Sequence, residues 1–507
     1  MLSRVKTVAF NGLEILDVEV QVQILSGMPA FTIVGLPDKA VAESRERIRA
    51  ALFSLGLKLP AKRITINLAP ADILKEGTHY DLPLALGLLC DMGLIKQEKL
   101  SEYIAVGEVG LDGAIIKVDG VLPAAIRAQK TEVGFICPYE QGGEAAWSDA
   151  KNIVPAKNLA ELIAFLKGET VIEQPTAQVM AETTSELDMK DVKGQESAKR
   201  AMEIAAAGGH NLIMVGPPGA GKSMLAARMP TILPLMTKGE AIETSMVASI
   251  AGEFKGDKLS FVRPFRSPHH SASTPALVGG GRPARPGEIS LANNGVLFLD
   301  ELPEFARSTL EALRQPLENG RINISRVSSH VEFPAKIQLI AAMNPCRCGH
   351  LGNTARECPR APKCAQEYQA KISGPLLDRI DIQIEVPAVS PWNMSKVAAG
   401  ESSADIRKRV VAARELQQDR FDRFGRKDLH TNSELSGDML EEAAIMDSEA
   451  KELLINYANR VKLSARGYNR TLKLARTIAD LQNEIKLHKV HIAEALSMRW
   501  KVPEYKI

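Results

Sequence analysis

The stretch NLIMVGPPGAGKSMLAARM, residues 211–229, constrains the fold most because it predicts a strand, a tight turn and a helix in immediate succession. The turn has the pattern G-x-x-x-x-G-K-[ST] and consists of Gly216, Pro217, Pro218, Gly219, Ala220, Gly221, Lys222 and Ser223. Its glycines let backbone N–H groups face a phosphate, and the start of the helix adds partial positive charge. The stretch therefore predicts a nucleotide-phosphate site in a parallel α/β domain.

Two acidic residues that suit a metal-bound nucleotide follow further along the chain. The segment GVLFLDELPEF predicts a buried strand that ends in Asp300 and Glu301. Asp300 suits Mg²⁺, and Glu301 suits the polarisation of an attacking water. In the turn itself, Lys222 suits the β- and γ-phosphates, and Ser223 offers an oxygen to Mg²⁺. Together these residues predict ATP and Mg²⁺ as cofactors.

Two later residues suit the same chemistry. The predicted strand KIQLIAAMN ends in Asn344, whose amide can orient water against a γ-phosphate. The segment ISGPLLDRIDIQIEV places Arg379 where an apolar run breaks, and a cation there can reach the nucleotide of a neighbouring chain. The alternative for Arg379 is a surface ion pair with Asp378 or Asp381.

The pattern of elements predicts four parts. Residues 1–166 mix strand and helix signals, and the polar residues 167–186 indicate a linker. Apolar strands between helices over 187–390 predict the α/β core, and 391–507 is predicted to be helical. The formal net charge of +2 means that any nucleic-acid contact must come from local basic patches. No long apolar run or signal peptide is evident, so we expect a cytoplasmic protein without membrane contact.

These elements, in this order, resemble those of AAA+ ATPases, in the helix-2-insert branch that includes magnesium chelatase and the MCM helicases. The whole chain more closely resembles the YifB/ComM family of magnesium-chelatase-like proteins. That resemblance is carried by the stretches GLPDKAVAESRERIRAAL, RPFRSPHHSASTPALVGGG, PGEISLANNGVLFLDELPEF and ISGPLLDRIDI. It implies an AAA+ core with a helical lid, and an N-terminal α+β domain like that of Lon protease.

The resemblance also implies roles for individual residues. Lys222 becomes the Walker A lysine, and the remaining roles are Walker B for Asp300 and Glu301, sensor 1 for Asn344 and the arginine finger for Arg379. In LSARGYNRTLKLARTIADL, Arg466 and Arg470 lie one turn apart on a helix, and either can contact a γ-phosphate. The match favours Arg466 as sensor 2 and leaves Arg470 as the alternative.

By this resemblance the chain is a homo-hexameric, ATP-dependent DNA motor. The implied activity is branch migration on single-stranded and branched DNA, in the integration of DNA during natural transformation, with a recombinase and other recombination proteins as partners. The alternative is a magnesium-chelatase-type motor for metal insertion into a tetrapyrrole, a task that uses separate partner subunits. An ATP-driven protease is disfavoured by the N-terminal sequence described below.

Basic residues in two segments are candidates for DNA contact. The segment NGRINISRVSSHVEFPAKI predicts a β-hairpin with Arg326 at its tip and His330 just beyond, and such hairpins project into the ring channel of MCM-like proteins. Residues 254–287 predict a mobile basic loop that contains Lys255, Lys258, Arg263, Arg266, Arg282 and Arg285. The pair His269-His270 in that loop lacks companions at metal-ligand spacing.

The N-terminal domain lacks the residues of Lon-type proteolysis. That chemistry needs a Ser nucleophile and a Lys base within hydrogen-bond reach. His79, in KEGTHYDLPLA, stands in the Ser position, and Leu122, in KVDGVLPAA, stands in the Lys position. We therefore expect no peptide hydrolysis by that mechanism, and we expect His79 to be a packed or hydrogen-bonded residue.

Four of the six cysteines follow the predicted sensor strand within a short segment, at Cys346, Cys348, Cys358 and Cys364. The spacing C-x-C-x₉-C-x₅-C supplies enough thiolates for a tetrahedral structural Zn²⁺, with His350 as a possible substitute ligand. Free thiols are the alternative, since disulfides are disfavoured in a reducing compartment. The two isolated cysteines, Cys90 and Cys137, are predicted to be core residues.

Overall fold

The computed structural model describes residues 2–180, 186–254, 258–281, 284–325, 330–351, 358–388 and 400–499. Within these ranges, no helix combines the length and the apolar character that a membrane crossing requires.

The first 180 residues contain a mixed sheet. Their strands are β1 (Leu2–Asn11), β2 (Glu14–Leu25), β3 (Ala30–Val34), β4 (Arg63–Ala69), β5 (Tyr103–Ala105), β6 (Glu108–Val109), β7 (Ile115–Ile116), β8 (Gly134–Pro138), β9 (Ile153–Ala156) and β10 (Gln178–Val179). Seven of them form one sheet in the order β3-β4-β2-β1-β5-β8-β9. The pairs β1–β2 and β2–β4 are antiparallel, and the remaining pairs are parallel.

Helices cover this sheet because their apolar faces match it. They are α1 (Lys39–Ser54), α2 (Asp81–Asp91), α3 (Gln97–Ser101), α4 (Val121–Lys130), α5 (Gly142–Ala146) and α6 (Leu159–Lys167). Helix α1 begins where the Asp38 carboxylate accepts a hydrogen bond of 2.8 Å from the backbone N–H of Val41. Its buried residues include Val41, Ile48 and Leu52, and α2 is buried along nearly its whole length. The mixed α+β N-terminal region was predicted from the sequence.

The central region is built around a parallel sheet. Its strands are β11 (Leu212–Val215), β12 (Lys258–Leu259), β13 (Phe265–Arg266), β14 (Gly279–Gly280), β15 (Arg285–Pro286), β16 (Val296–Leu299), β17 (Arg321–Ser325), β18 (His330–Pro334), β19 (Gln338–Met343) and β20 (Ile382–Glu385). Five of them form an all-parallel sheet in the order β13-β16-β19-β11-β20. The predicted parallel α/β core is confirmed.

Ten α-helices accompany these strands in the described part of the central region. They are α7 (Glu196–Gly208), α8 (Lys222–Ala226), α9 (Met229–Ile232), α10 (Lys238–Ala251), α11 (Thr274–Val278), α12 (Glu288–Leu291), α13 (Arg307–Ala312), α14 (Arg314–Asn319), α15 (Lys363–Gln369) and α16 (Gly374–Leu377). Strands β17 and β18 pair antiparallel and form the predicted hairpin. Its tip, including Arg326, lies outside the described residues.

The C-terminal region is helical, as predicted. It contains α17 (Ser403–Arg423), α18 (Gly437–Ala443), α19 (Ser448–Val461), α20 (Ala465–Leu481) and α21 (Lys489–Ser497). Apolar residues of α20, such as Leu474 and Ile478, share one buried cluster with Ile204 of α7 and Ile340 of β19. Because burial of apolar surface stabilises at about 25 cal/mol per Å², this shared core fixes the helical region on the parallel sheet.

The N-terminal region packs directly against the central region through α4 and α10. Leu122 and Trp147 share a buried cluster with Met236, Ala241 and Leu259. Polar contacts border this cluster, with Ser249 donating to Glu144 at 2.5 Å. The segment predicted as a linker also takes part, because β10 pairs in parallel with β12 and Trp147 Nε1 donates to the Gln178 carbonyl at 3.2 Å.

Candidate nucleotide-binding site

The phosphate loop lies at the carboxyl end of β11, between that strand and α8. Gly219 and Gly221 have φ of +77° and +86°, in the left-handed region that favours glycine. A cavity of about 390 Å³ opens there; its lining residues are Pro218, Gly219, Ala220, Gly221, Lys222, Ser223, Met224, Asp300, Glu301, Met343 and Asn344. The structure thus brings both predicted motifs to one cavity.

The Lys222 ammonium lies inside this loop. Its Nζ donates to the carbonyls of Gly216 and Pro217 at 2.7 and 3.0 Å and to Asn344 Oδ1 at 3.2 Å. Burial lowers the pKa of Lys222, while the nearby charges of Asp300 and Glu301 oppose that shift. The lysine is therefore held at the centre of the cavity by the loop that surrounds it.

The metal-binding candidates meet across the same cavity. Ser223 Oγ donates to Asp300 Oδ2 at 2.7 Å, so an oxygen from α8 lies beside one from the end of β16. Hard oxygen ligands at this spacing fit Mg²⁺. Asn344 follows β19, which lies between β11 and β16, and its amide reaches Lys222 for that reason.

Glu301 adopts a backbone conformation that is rare for its residue type. Its φ is +51°, and residues held in this region store strain that commonly marks functional sites. The carboxylate is half exposed, and its Oε2 lies 3.4 Å from His270 Nδ1. The sequence suggested no role for His270, although it follows β13, which pairs with the strand that carries Asp300. This position, after a strand that neighbours β16, is the sequence signal that could have pointed to His270.

Arg379 lies away from this cavity and contacts Glu318 of α14. Its Nη2 donates to Glu318 Oε2 at 2.6 Å, and its Nη1 donates to the Pro375 carbonyl at 2.7 Å. The pKa of Glu318 is lowered by the hydrogen bond and charge of Arg379, with a smaller contribution from Arg466. The predicted alternative, an ion pair of Arg379 with Asp378 or Asp381, was wrong. The partner is Glu318, which the sequence did not suggest.

Arg466 and Arg470 differ in their surroundings. Arg466 is exposed on the first turn of α20, whereas Arg470 is buried. Arg470 donates to Asp378 Oδ1 at 3.1 Å and to the Ile380 carbonyl at 3.4 Å. Asp378 and Ile380 flank Arg379 in the sequence. The hydrogen bonds of Arg470 therefore connect the turn that carries Arg379 to the helical region. The charge of Arg466 contributes, less than that of Arg379, to the lowered pKa of Glu318.

Three family models of magnesium chelatase match the chain. The model of magnesium chelatase subunit ChlI matches residues 188–394, the model of subunit ChlI of Mg-chelatase matches residues 18–141, and the ChlI C-terminal model matches residues 400–499.

Similar proteins match over nearly their whole length. The uncharacterized protein YifB of Salmonella typhimurium is 43% identical over 98% of this chain and 97% of its own. Competence protein ComM of Haemophilus influenzae is 43% identical over 97% of this chain and 96% of its own. The chain belongs to the YifB/ComM family. An uncharacterized protein of Mycobacterium bovis, Mb2921c, is 39% identical over 98% of both chains.

Membership in this magnesium-chelatase-like AAA+ family agrees with the parallel core, the phosphate loop and the helical C-terminal region. It indicates ATPase activity, with ATP and Mg²⁺ as the cofactors that the cavity residues suit.

The basic loop of this YifB/ComM family member is largely fixed by ion pairs. Arg263 pairs with Glu240 at 3.0 Å, and Arg266 pairs with Glu288 at 2.6 Å. The expectation that this whole loop is mobile and available to phosphates was therefore wrong for these two arginines, because carboxylates on α10 and α12 neutralise them. Lys258 is exposed on β12, and Lys255 lies outside the described residues.

The predicted DNA-contact hairpin contacts the N-terminal sheet through strand β18. His330 is exposed at the start of β18, and its backbone carbonyl accepts from Asn11 Nδ2 at 3.4 Å. Gly12 approaches the same strand so closely that an added Cβ would lie 2.5 Å from the Glu332 carbonyl oxygen. The β1–β2 turn therefore supports the hairpin.

His79 and Leu122 lie in or next to the region where the N-terminal sheet meets the core. His79 lines a cavity of about 880 Å³ there, together with Asp38, Glu76, Arg285 and other residues. Its Nε2 lies 3.0 Å from the Val8 carbonyl oxygen, and its ring makes an edge-type contact with Phe10 and a tilted contact with Tyr80. The expectation that His79 is packed and hydrogen-bonded is confirmed, and Leu122 is fully buried against the core.

Acidification is expected to destabilise the chain through His79. Burial lowers the pKa of His79 to about 4, from an unfolded value of about 6.5, so the unfolded chain binds the proton first as pH falls. The stabilisation is complete above about pH 6.5 and decreases by about 2 kcal/mol by about pH 5. Chemical unfolding of the wild type and of His79→Gln measures this difference. Equal pH slopes for the two proteins would contradict the assignment.

The four predicted cysteine ligands form one cluster. The Sγ atoms of Cys346, Cys348, Cys358 and Cys364 all lie within 4.8 Å of one another. A tetrahedral zinc with Zn–S bonds of about 2.3 Å separates its sulfurs by about 3.8 Å, so the cluster fits that ion. The backbone N–H of His350 and the Cys346 thiol lower the pKa of Cys348 to about 7. His350 itself is outside the cluster of described ligand atoms, so the predicted substitution is not needed.

Proposed function

We propose that the chain is an ATP-driven motor on DNA that works as a ring of six copies. The observation that carries this proposal is the separation between the nucleotide cavity and its arginines. No arginine lies among the described residues that line the cavity, whereas Arg379 pairs with Glu318 at 2.6 Å on a surface outside it and Arg466 is exposed on α20. In a head-to-tail ring, that arginine surface meets the cavity of the next copy, so each site is completed by its neighbour.

Each cavity residue has a role in this proposal. Lys222 neutralises the β- and γ-phosphates, Ser223 and Asp300 hold Mg²⁺, and Glu301 polarises the attacking water. Asn344 orients that water, and its contact with Lys222 at 3.2 Å supports the placement. Arg379 of the adjacent copy neutralises charge that develops in the transition state, with Arg466 as sensor 2.

The proposed division of the chain follows from these roles. Residues 187–390 carry the ATPase core with its helix-2 insert, hairpin and cysteine-rich insert, and 391–507 form the lid. The proteolytically inactive Lon-like domain, 1–166, supports the hairpin through the β1–β2 turn and is joined by 167–186. The basic side chains proposed to follow the DNA backbone are Arg326, His330, Lys255 and Lys258.

The relative named competence protein ComM supports a role in competence. In this proposal the motor drives branch migration while incoming single-stranded DNA is integrated. It works in the cytoplasm, and its partners are a recombinase and other recombination proteins. Its substrates are single-stranded and branched DNA.

ATP turnover with and without DNA tests this function. We expect single-stranded or four-way DNA to stimulate hydrolysis at low salt, and we expect ATP-dependent unwinding of a labelled four-way junction. Lys222→Ala should abolish both, since the phosphates lose their lysine. Turnover that is unchanged by DNA, with no junction unwinding, would contradict the proposal. Stimulation by a tetrapyrrole and its partner subunits would favour the chelatase-type motor that the family models' names suggest.

We propose in addition that the cysteine cluster holds one structural Zn²⁺. Purified chain, prepared without chelators, is expected to contain about one zinc equivalent by atomic absorption. The double variant Cys358→Ser and Cys364→Ser removes two of the four thiolates and should contain about none. Cys90→Ala, outside the cluster, is the matched control and should keep its zinc. Less than about half an equivalent in the wild type would exclude a structural zinc.

A further inference from the structure

The cysteine loop touches the phosphate loop directly. Gly349, with φ of +76°, lies so close to Pro218 that an added Cβ would be 2.6 Å from its Cδ and 2.7 Å from its Cγ. A real Cβ atom essentially never lies within 3.0 Å of another non-bonded heavy atom, so only glycine fits there without a shift. Pro218 lines the nucleotide cavity, and Gly349 therefore forms part of its outer support.

Two further contacts join the other end of the loop to residues that neighbour Asn344 and Glu301. Helix α15 carries Cys364, and Gln369 at its end donates to the Pro345 carbonyl at 2.9 Å, next to Asn344. Lys371, two residues beyond Gln369, lies 3.4 Å from Glu304 on the turn that follows Glu301. The two flanks of the cysteine loop thus contact the phosphate loop, the end of β19 and the turn after β16.

The described part of the loop has little apolar surface of its own to keep these contacts in place. Its buried cluster contains Cys346, Cys358 and Ala365, with Leu351 and Cys364 packed against it. Three of these five side chains are proposed metal ligands. Since burial of so few apolar groups contributes only a few kcal/mol, the geometry of the loop depends on what joins its four sulfurs.

We propose that the metal-closed cysteine loop is a positioning element of the nucleotide site, in which Gly349 and Gln369 hold Pro218 and Pro345 in place. This inference rests on the proposed ATPase function and the proposed metal. Loss of the metal loosens both contacts, and ATP affinity falls even though every residue that touches the phosphates is intact.

Substitution of Gly349 tests the contact without removing a ligand. Gly349→Ala keeps four thiols and is expected to keep its zinc, but its Cβ displaces Pro218 and weakens binding of mant-ATP by about tenfold. Gly425→Ala is the matched control, because Gly425 also has a positive φ, +68°, but an added Cβ there meets nothing within 4 Å. It should bind mant-ATP as the wild type does. Wild-type affinity in Gly349→Ala would overturn the inference and leave the ATPase proposal standing.

A second experiment removes the metal from a chain whose four cluster cysteines are unchanged. The background Cys90→Ala, Cys137→Ala restricts p-hydroxymercuribenzoate to the cluster thiols, and released zinc is measured with a metallochromic dye. We expect mant-ATP affinity to fall by about tenfold as zinc leaves, and to recover with dithiothreitol and Zn²⁺. A metal-free chain with native circular dichroism and unchanged affinity would overturn the inference. A zinc-loaded wild type that binds no mant-ATP would instead contradict the nucleotide site itself.

Discussion

Replacing Arg379 with alanine is expected to lower kcat for ATP hydrolysis by about a thousandfold, with little change in the affinity for mant-ATP. The reason is that an arginine finger acts on charge that develops in the transition state, so its loss affects turnover more than binding. Arg379 is well placed for this, since Glu318 and the Pro375 carbonyl hold its guanidinium outside its own cavity. Steady-state turnover at saturating ATP and DNA measures the effect.

Two further variants test whether the loss of turnover is specific to the guanidinium of Arg379. Arg379→Lys keeps the charge but loses the planar fork, and we expect it to recover only a small part of kcat. Arg426→Ala removes a half-exposed arginine that pairs with Asp428 at 2.7 Å, and it should turn over ATP like the wild type. A kcat for Arg379→Ala within about threefold of the wild type would show that this arginine takes no part in hydrolysis.

Replacing Glu301 with glutamine is expected to lower ATP turnover by at least about a hundredfold while nucleotide still binds. Glutamine has nearly the same shape but cannot take a proton from the attacking water. Its neighbours Asp300, Ser223 and Lys222 are unchanged, so the contacts to Mg²⁺ and the phosphates remain. Binding of mant-ATP and single-turnover hydrolysis separate the two steps.

A matched glutamate provides the control. Glu449 is exposed in α19 and pairs with Lys489 at 3.4 Å, far from the phosphate loop in sequence and on a different element. Glu449→Gln should hydrolyse ATP normally. If Glu301→Gln also keeps its turnover, another group must activate the water, and His270, at 3.4 Å from Glu301, would be the first residue to replace.

The nucleotide cavity was predictable because its residues follow strands. Strand ends of a parallel sheet meet at one edge, and thus Lys222, Asp300 and Asn344 were expected to come together. The strand order β16-β19-β11 confirms this. Strand β19, which ends before Asn344, lies between β16, which precedes Asp300, and β11, which precedes the phosphate loop. The pattern of apolar residues also predicted that strands and helices are mixed in the N-terminal region and that the C-terminal region is helical.

The pairings of individual charges were not predictable. Arg379 and Glu318 are separated by many residues, and only the packing of α14 beside the turn after α16 brings them to 2.6 Å. Arg470, which the helix spacing placed with Arg466, is instead buried against Asp378. Arg263, expected in a mobile loop, is fixed by Glu240. A charge pattern gives the sign of a surface, but tertiary contacts between distant segments decide which charges remain available.

The close approach of Gly349 to Pro218 was likewise invisible in the sequence. The four cysteines predicted a metal site from their number and spacing alone, and the structure brings their sulfurs within 4.8 Å. That the resulting loop touches the phosphate loop follows from its position directly after Asn344, at the same edge of the sheet. A glycine beside a metal ligand does not by itself indicate which surface it meets.

The central claim is that ATP is hydrolysed at the seam between two copies of this chain, and mixing two inactive variants tests it most directly. Glu301→Gln and Arg379→Ala chains are combined in equal amounts with ATP and single-stranded DNA. In a mixed ring, about a quarter of the seams join an intact Glu301 cavity to an intact Arg379 surface. We predict that turnover recovers to a substantial fraction of the wild-type rate. No recovery, from variants that each bind nucleotide and assemble together, would contradict the account.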